Sequence, residues 1–286
     1  MEIRRVEKKE FPQVAQLIAA YNAKPETQCI HSGEGVEAIL KQIEIWDEGD
    51  EILFVAGWQD GELVAVFGSE YDVADGKSWL WGPFVQDEET AVSLFNHLLT
   101  HLPPEITQLT SYLHEANQAG NSFYQQQGFV RPRVAHVYVA PRPDQLVAPQ
   151  RMAVEMASTH SEALIGLHKQ TFPTTWFSGK EIVSKLGEKD KVFVFAEGEQ
   201  LLGYIYARLD EASAEGYVEF LGVDKVARGQ GLGRLLLQTA VYWLFSTFSV
   251  PQIALNVDDG NDNARGLYES AGFHLHFTGV AMSRKR

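Results

Sequence analysis

The sequence is poor in cysteine, in long apolar runs and in positive charge. Cys29 is the single cysteine among 286 residues, so no intrachain disulfide can form and a reducing compartment is expected. No apolar run reaches the roughly 18 residues that a membrane helix needs. The charged start, Met1 to Glu10, also lacks the apolar stretch of a secretory signal. We therefore expect a cytoplasmic protein without membrane contact.

The charge balance is strongly acidic. Asp and Glu number 38 against 24 Lys and Arg, which gives a formal net charge of −14. Such a surface repels the phosphates of nucleic acids, so no nucleic-acid partner is expected. It would attract a cationic acceptor such as an amine, although acidity also serves simply to keep a protein soluble. The 45% of hydrophobic residues is enough to fill a core in each of two ordinary domains.

An internal repeat divides the chain into two halves. The segments Asn117–Phe129 and Asn261–Phe273 share an Asn, a Tyr seven positions later and a Gly four positions after the Tyr. The two segments stand 144 positions apart, close to half the chain. Two further segments, Glu51–Phe67 and Lys191–Ala207, both alternate as strand, Gly-containing turn and strand. The repeat predicts two domains with one plan.

The join between the copies is rich in proline. Ala140–Pro149 carries three prolines in ten residues, which suits neither a helix nor a central strand. We place the domains at 1–140 and 150–286, with the linker between them. In each half the elements run strand, helical region, hairpin, strand, helix, strand, helix and strand. This order predicts an α+β fold in which helices cover a sheet.

A glycine-rich loop carries the clearest chemistry. A predicted strand ends near Val223, and glycines at 229, 231 and 233 then open a long segment with helical apolar spacing. Exposed N–H groups and the positive end of a helix dipole bind anions such as a pyrophosphate. The loop lacks the Lys of a Walker loop, and Arg234 stands where a dinucleotide fingerprint needs its third glycine. It fits the form Arg-x-x-Gly-x-Gly from Arg228; a purely structural helix cap is the alternative.

Two motifs in the right order resemble one known family. The stretch Leu221–Gly233, followed about thirty residues later by Asn261–Phe273, resembles the cofactor-binding core of the GNAT N-acetyltransferase superfamily. The resemblance covers residues 151–286 well and residues 1–140 more weakly, so the chain is similar to tandem-domain members. It implies two GNAT-like domains, each a mixed, mostly antiparallel twisted sheet flanked by helices.

The resemblance also implies where acetyl-CoA, the co-substrate, would bind. The strand residues Leu221, Gly222 and Val223 would pair with the pantetheine arm. The next strand, near Ile253 to Val257 and including Asn256, would splay away to leave a wedge. The pyrophosphate would be held by the loop that follows: Arg228, Gly229, Gln230, Gly231, Leu232, Gly233 and Arg234. Asn261 would bond the pantetheine, and Ala264 is small where the cofactor passes.

The catalytic roles follow from the chemistry of a thioester and an amine. A protonated amine must lose a proton before it attacks. The resemblance implies Glu219 as the base, because family members often carry a catalytic glutamate at this position of the strand, and Glu215 is a weaker candidate. An ordinary strand glutamate that faces solvent or pairs with a lysine is the alternative for Glu219. Tyr268 matches the tyrosine that protonates the leaving thiolate, or else packs in the core. The second half has no cysteine, so direct attack in a ternary complex is expected.

Other side chains in the second half are weaker candidates. Trp176 and Phe177 are candidates to line the acceptor pocket, and core packing is the alternative for both. His274 and His276 alternate along one predicted strand, but no third ligand stands nearby in the sequence, so no metal site is expected.

The first half has lost the cofactor loop. Aligning the two halves places Trp81 opposite Glu219, and Gln86–Thr90, with three carboxylates, opposite the approach to the glycine loop. Like charges there would repel CoA phosphates. We therefore expect domain 1–140 to be a degenerate copy without acetyl-CoA, in which Tyr124 is structural.

The resulting functional hypothesis is an acetyl-CoA-dependent N-acetyltransferase. Its acceptor would be a primary amine on a small molecule or a protein, with an antibiotic, a polyamine, an amino acid and a protein N-terminus all open. A transferase for another acyl-CoA or an aminoacyl donor is one alternative. A non-catalytic CoA-binding sensor or interaction protein is the other. A monomer and a homodimer both remain open.

Overall fold

The computed structural model describes residues 1–175, 177–211 and 214–286. The chain folds as two compact units. The first, called here the N-unit, contains residues 1–135 together with 277–286. The second, the C-unit, contains residues 136–276.

Helices and strands alternate along the chain in the predicted order. The first half contains β1 (Glu2–Arg5), α1 (Phe11–Asn22), α2 (Val36–Glu48), β2 (Ile52–Gln59), β3 (Glu62–Asp72), β4 (Lys77–Phe84), α3 (Glu88–His101), β5 (Gln108–His114), α4 (Gln118–Gln126) and β6 (Val130–Pro141). The second half contains β7 (Val154–Glu155), α5 (Ser161–Thr171), α6 (Gly179–Lys185), β8 (Asp190–Glu197), β9 (Gln200–Asp210), β10 (Glu215–Val223), α7 (Leu232–Thr247), β11 (Gln252–Asp258), α8 (Asp262–Ser270) and β12 (His274–Lys285).

The N-unit is a sheet with the strand order β1-β2-β3-β4-β5-β12. All neighbours pair antiparallel except β4 and β5, which are parallel and are connected through α3. Seven consecutive residues of β2, Ile52–Trp58, are buried, as expected for a sheet covered on both faces. The β2–β3 hairpin turns at Asp60 and Gly61, whose φ angles of 53° and 85° are those of a type I′ turn.

The C-unit repeats this plan, with the strand order β6-β11-β10-β9-β8-β7. The β10–β11 pair is again parallel, and α7 connects the two strands. Residues from the two faces form two separate apolar clusters. One, called here the α7 cluster, joins Val218 of β10 to Leu236 and Ala240 of α7. The other, the α5 cluster, joins Phe220 of β10 to Leu164 and Leu167 of α5. The sheet therefore lies between two helical layers, and the predicted α+β class, with mostly antiparallel sheets flanked by helices, is confirmed.

The last strand of the N-unit comes from the far end of the chain. Gly279–Lys285 of β12 pair antiparallel with Gln108–His114 of β5. Beyond them, the Arg286 guanidinium donates to the carbonyls of Leu102 at 3.3 Å and Pro103 at 2.7 Å. The predicted domains 1–140 and 150–286 therefore differ from the units at both boundaries. The repeat spacing located the two copies, but strand pairing over more than a hundred residues decides where a final strand docks.

Among the described residues, no helix combines the length and the apolar character needed to cross a bilayer.

Candidate active site

The strands β10 and β11 separate in the middle of the C-unit sheet. They pair only from Gly216 to Val218, opposite Ile253 to Leu255. Both strands continue past this point, β10 to Val223 and β11 to Asp258, without further pairing between them in the described register. The predicted wedge is therefore present. It is bordered on one side by Leu221, Gly222 and Val223, and on the other by the exposed Asn256.

The loop after β10 presents two glycines to open space. Gly229 and Gly231 adopt φ angles of 76° and 77°, which residues with a side chain rarely adopt. A Cβ built at either position would meet no atom within 4 Å. Protein packing therefore does not require glycine at these two positions. The left-handed backbone requires it, and this backbone leaves room for a ligand beside the loop.

The N-terminus of α7 has unpaired donors. Gly231 is the N-cap and supplies no side-chain acceptor. Within the described residues, the amides of Leu232, Gly233 and Arg234 have no acceptor. Arg228 and Arg234 are exposed beside them, as is Gln230, and the Arg228 Nε donates to the Val223 carbonyl at 3.2 Å. Free amides, the helix dipole and two cations together make a site for an anion such as a pyrophosphate.

Asn261 and Ala264 lie at the start of α8. Asn261 is the N-cap, and its Oδ1 accepts from the Ala264 amide at 3.3 Å, which is the capping role that the sequence allows. Asn261 is exposed, and Ala264 packs half-buried against the α7 cluster. The contact of Asn261 with pantetheine stays a prediction.

Tyr268 combines burial with an unused hydroxyl. Its side chain is 8% exposed and packs against Tyr138 and Phe273, with ring centroids 6.5 and 6.2 Å away. Its hydroxyl makes no hydrogen bond to another described residue. Burial raises the pKa of Tyr268 to about 12, so the phenol keeps its proton at neutral pH. A protonated hydroxyl without a partner is a suitable proton donor.

Glu219 lies at a β-bulge and is paired with an arginine. The register of β10 against β9 shifts between Val218 and Phe220, which makes Glu219 the extra residue. The side chain is 5% exposed, and its Oε1 accepts from the Arg208 Nε at 2.6 Å. The weaker candidate, Glu215, lies at the start of β10 and accepts from the Gln252 side chain at 2.7 Å.

Arg208 is a residue that the sequence reasoning missed. It lies on β9, eleven positions before Glu219, and neither motif includes it. The alternation of β9 was a usable signal, since a charged residue follows the buried Tyr204 and Tyr206 on the same face. Burial alone would lower the pKa of Arg208, but its bond to Glu219 and the carboxylate charge outweigh burial and raise it.

The segment before α6 lies on the α5 side of the sheet. Trp176 falls outside the described residues. Phe177 packs half-buried in the α5 cluster, and its carbonyl accepts from the Nε2 of His168 at 2.8 Å. The Nδ1 of His168 is 2.6 Å from the Tyr204 hydroxyl, which can donate to it when the ring proton is on Nε2. Burial lowers the pKa of His168 and so favours this neutral form. His168 thus holds the main chain at Phe177. No described group of three His, Cys, Asp or Glu residues could hold a metal.

In the N-unit, the anion site is occupied by a carboxylate. Asp87 is the N-cap of α3, the counterpart of α7, and its Oδ1 accepts from the Thr90 amide at 2.8 Å. This hydrogen bond lowers the pKa of Asp87, so the group is charged at neutral pH. An incoming phosphate would therefore meet a negative charge and one fewer free amide.

The wedge of the N-unit is also occupied, by a segment that we call the wedge plug (residues 28–32). The strands β4 and β5 pair only as far as Leu80 and Ser111. The buried Cys29 bridges to Leu113 of β5, and its Sγ lies 3.7 Å from the Leu80 carbonyl of β4. The plug therefore fills the space where the two strands diverge.

The counterparts of Asn261 and Tyr268 in the N-unit are engaged by protein groups. The Asn117 Nδ2 donates to the carbonyl of Gln28 in the wedge plug at 3.2 Å. The fully buried Tyr124 hydroxyl donates to the Gly82 carbonyl at 2.7 Å, whereas the Tyr268 hydroxyl has no such partner. The structural role predicted for Tyr124 agrees with this contact.

Comparison with known proteins shows which family the second half of the chain matches. The acetyltransferase (GNAT) family matches residues 161–273. A mycothiol acetyltransferase from Geodermatophilus obscurus is 35% identical over 99 residues, which are 33% of this chain and 32% of the relative. The 5-NmdU N-acetyltransferase of Pseudomonas phage PaMx11 is 29% identical over 117 residues, which are 40% of this chain and 79% of that protein. The chain thus spans about a quarter to a third of the length of the mycothiol acetyltransferases that it matches.

Two solved structures resemble the whole chain. A GCN5-related N-acetyltransferase from Sphaerobacter thermophilus has a TM-score of 0.73 at 19% identity and covers 99% of this chain and 95% of its own. A tandem GNAT protein from the clavulanic acid biosynthesis pathway has a TM-score of 0.60 at 13% identity, with 99% and 98% covered. At these identities the likeness concerns the fold. Residues 161–273 thus match the GNAT acetyltransferase family, and the whole chain has the fold of GNAT proteins, including one with tandem domains.

Proposed function

We propose that the chain is an N-acetyltransferase that moves an acetyl group from acetyl-CoA to a primary amine, with one active site, in the C-unit. The observation that carries this proposal is the open wedge between β10 and β11, beside the N-terminus of α7 where the N-cap Gly231 has no side chain. A family match alone would not assign a turnover activity, because one fold serves many functions.

The residues of the C-unit fit acetyl-CoA. The amides of residues 229–234 would hold the pyrophosphate, since Gly229 and Gly231 leave open space beside them. The unpaired edge of β10 at Leu221–Val223 would hold the pantetheine arm, with Asn256 and Asn261 near it. When bound, acetyl-CoA would supply a thioester, a carbonyl carbon that an amine attacks.

Two side chains would then handle the protons. Glu219 would take a proton from the ammonium group of the acceptor, directly or through one water, and so free the lone pair that attacks. As the new N–C bond forms, the C–S bond breaks and the electron pair stays on sulfur. Tyr268 would donate its proton to that sulfur, because burial keeps the phenol protonated. The attacking nitrogen would lose its second proton as the amide forms, and this proton would restore the Tyr268 phenol, directly or through water. Direct attack suits a unit that contains no cysteine.

The N-unit, in this proposal, binds no acetyl-CoA. Asp87 occupies the position of the anion, and the wedge plug occupies the position of the pantetheine arm. The bond from Asn117 to the Gln28 carbonyl supports this reading, because Asn261 is proposed to donate to pantetheine in the same way. The N-unit is therefore proposed to be structural.

A small cationic amine is the proposed acceptor, and the cytoplasm the proposed location. Two relatives carry names that refer to mycothiol and to 5-NmdU, which favours a small molecule over a protein. The carboxylates of Asp210 on β9 and Asp190 on β8 lie near Arg208, which is bonded to Glu219, so an acceptor that approaches Glu219 would meet further negative charge. Such charge favours an ammonium group.

Titration calorimetry with acetyl-CoA tests the proposal. We expect one site per chain, and release of free CoA thiol on addition of a responsive primary amine. Tyr268→Phe and Glu219→Gln should keep the binding and lose most of the turnover, by the 10²- to 10⁴-fold typical of acid and base residues. Two sites per chain would contradict the plugged N-unit. Binding with no thiol release across an amine panel would favour a sensor, and absence of binding would refute the proposal.

A further inference from the structure

A backbone irregularity brings Glu219 next to Arg208. In a regular β10, Val218 and Phe220 would point to the same face of the sheet. The bulge breaks this alternation, so Val218 packs with α7 while Phe220 packs with α5. Glu219 is the inserted residue, and its carboxylate reaches the Arg208 guanidinium on the neighbouring strand. Bulges commonly re-aim side chains beside active sites.

Arg208 is itself held by neighbours other than Glu219. Its Nη1 lies 3.5 Å from the Asp210 Oδ1, and its guanidinium carbon lies 5.3 Å from the centroid of the Tyr217 ring. The side chain is 29% exposed, so it is fixed by contacts on several sides. A planar guanidinium held in this way offers its Nε–H in one direction, which a flexible lysine would not reproduce.

The other titratable groups around this pair include two carboxylates. Asp190 of β8 lies opposite Arg208 in the strand register, and its carboxylate accepts from the Tyr206 hydroxyl at 2.6 Å. The described titratable groups near the pair include Asp190, Tyr206, Asp210 and Tyr217 on the three strands and, behind Phe220, His168 of α5. Asp190 and Asp210 are carboxylates, so Arg208→Gln would remove the positive charge bonded to Glu219 and leave these two negative charges nearby.

We propose that Arg208 is the positioning residue of the active site: it fixes the direction of the Glu219 carboxylate and holds it in the charged form that can accept a proton. This inference rests on the proposed role of Glu219 as the base. Arg208 touches neither of the reacting groups in this proposal. It acts through Glu219, because a bonded cation favours the ionised form of a carboxylate.

The test is a titration of Glu219 that needs no acceptor. Protein labelled with ¹³C at its glutamate carboxyls is followed by NMR against pH, with Glu219→Gln identifying the signal. In Arg208→Gln the Glu219 midpoint should rise by at least about one pH unit, a tenfold change in proton affinity. Arg208→Lys keeps the charge and loses the fixed Nε–H, so it should give a smaller rise. Asp210→Asn is the matched control, and its midpoint should not rise.

Calorimetry separates this inference from the proposed function. Acetyl-CoA should bind Arg208→Gln within about twofold of the wild-type affinity, because the wedge and the glycine loop do not include this residue. An unchanged Glu219 midpoint in Arg208→Gln would overturn the inference, even where thermal melting shows the variant folded. If Arg208→Gln does not fold, Arg208→Lys decides, and an unchanged midpoint there overturns it. Absence of acetyl-CoA binding to the wild type would refute the proposed function and leave the titration result standing.

Discussion

Substitution of Gly231 tests whether a carboxylate at the N-terminus of α7 weakens acetyl-CoA binding, as Asp87 is proposed to do in the N-unit. Gly231 caps α7 without a side chain, whereas Asp87 caps α3 with a carboxylate. Gly231→Asp would place a charge where the pyrophosphate is proposed to bind. Gly231→Asn is its neutral match in shape. Both Asn and Asp tolerate the left-handed conformation better than other residues with side chains, so backbone strain largely cancels between the two variants.

The expected magnitude follows from the exposure of the loop. A Cβ at Gly231 meets no protein atom within 4 Å, so the new side chain would lie in solvent beside the ligand. Two unit charges at 4 Å in water repel by about 1 kcal/mol, and a pyrophosphate carries two such charges. A difference of about 2 kcal/mol between the variants corresponds to roughly 30-fold weaker binding of acetyl-CoA by Gly231→Asp than by Gly231→Asn.

Calorimetry at two salt concentrations measures this difference. The gap between the variants should shrink at high salt, because exposed charges are screened. Thermal melting of both variants serves as the control for folding. Equal affinities of Gly231→Asp and Gly231→Asn at low salt would refute the assignment of the anion site to the N-terminus of α7.

Three further predictions concern folding. Deleting residues 277–286 removes the strand that pairs with seven residues of β5, so hydrogen exchange at β5 should become fast while α7 stays protected. Asn22→Ala removes three hydrogen bonds to the wedge plug and one to the Gly33 carbonyl, and it leaves the buried amide of Cys29 without an acceptor. It should therefore lower the free energy of unfolding by about 2–4 kcal/mol in urea. Burial lowers the pKa of His168 below the unfolded value of about 6.5, so its neutral form stabilises the fold above that pH. This contribution should be lost as pH falls through the lower folded pKa, and the loss between pH 7 and 5 should be smaller in His168→Gln.

Each of these predictions has a control. If β5 and α7 stay equally protected from hydrogen exchange after residues 277–286 are deleted, pairing with β12 does not stabilise the N-unit. Asn96→Ala, at an exposed position of α3, should be neutral, and an Asn22→Ala effect no larger than this would contradict the anchoring role of Asn22. If the free energy of unfolding falls equally between pH 7 and 5 in the wild type and in His168→Gln, the neutral form of His168 does not stabilise the fold.

Local sequence determined the helices, the strands and the glycine-rich loop before α7. The hairpin turn at Asp60–Gly61 and the left-handed positions at Gly229 and Gly231 depend on residue type, which is readable without a structure. The repeat of Asn and Tyr at equal spacing revealed two copies of one plan. The N-caps at Asn117 and Asn261 follow from the same motif, because a cap involves only residues within one turn.

Tertiary structure alone decided three features. It paired Glu219 with Arg208, filled the wedge of the N-unit with residues 28–32, and gave the N-unit its last strand from residues 277–286. Each feature joins residues that are not neighbours within one local element. Local propensity and spacing carry no information about such partners, since the contacts depend on how strands align across a sheet and where they diverge.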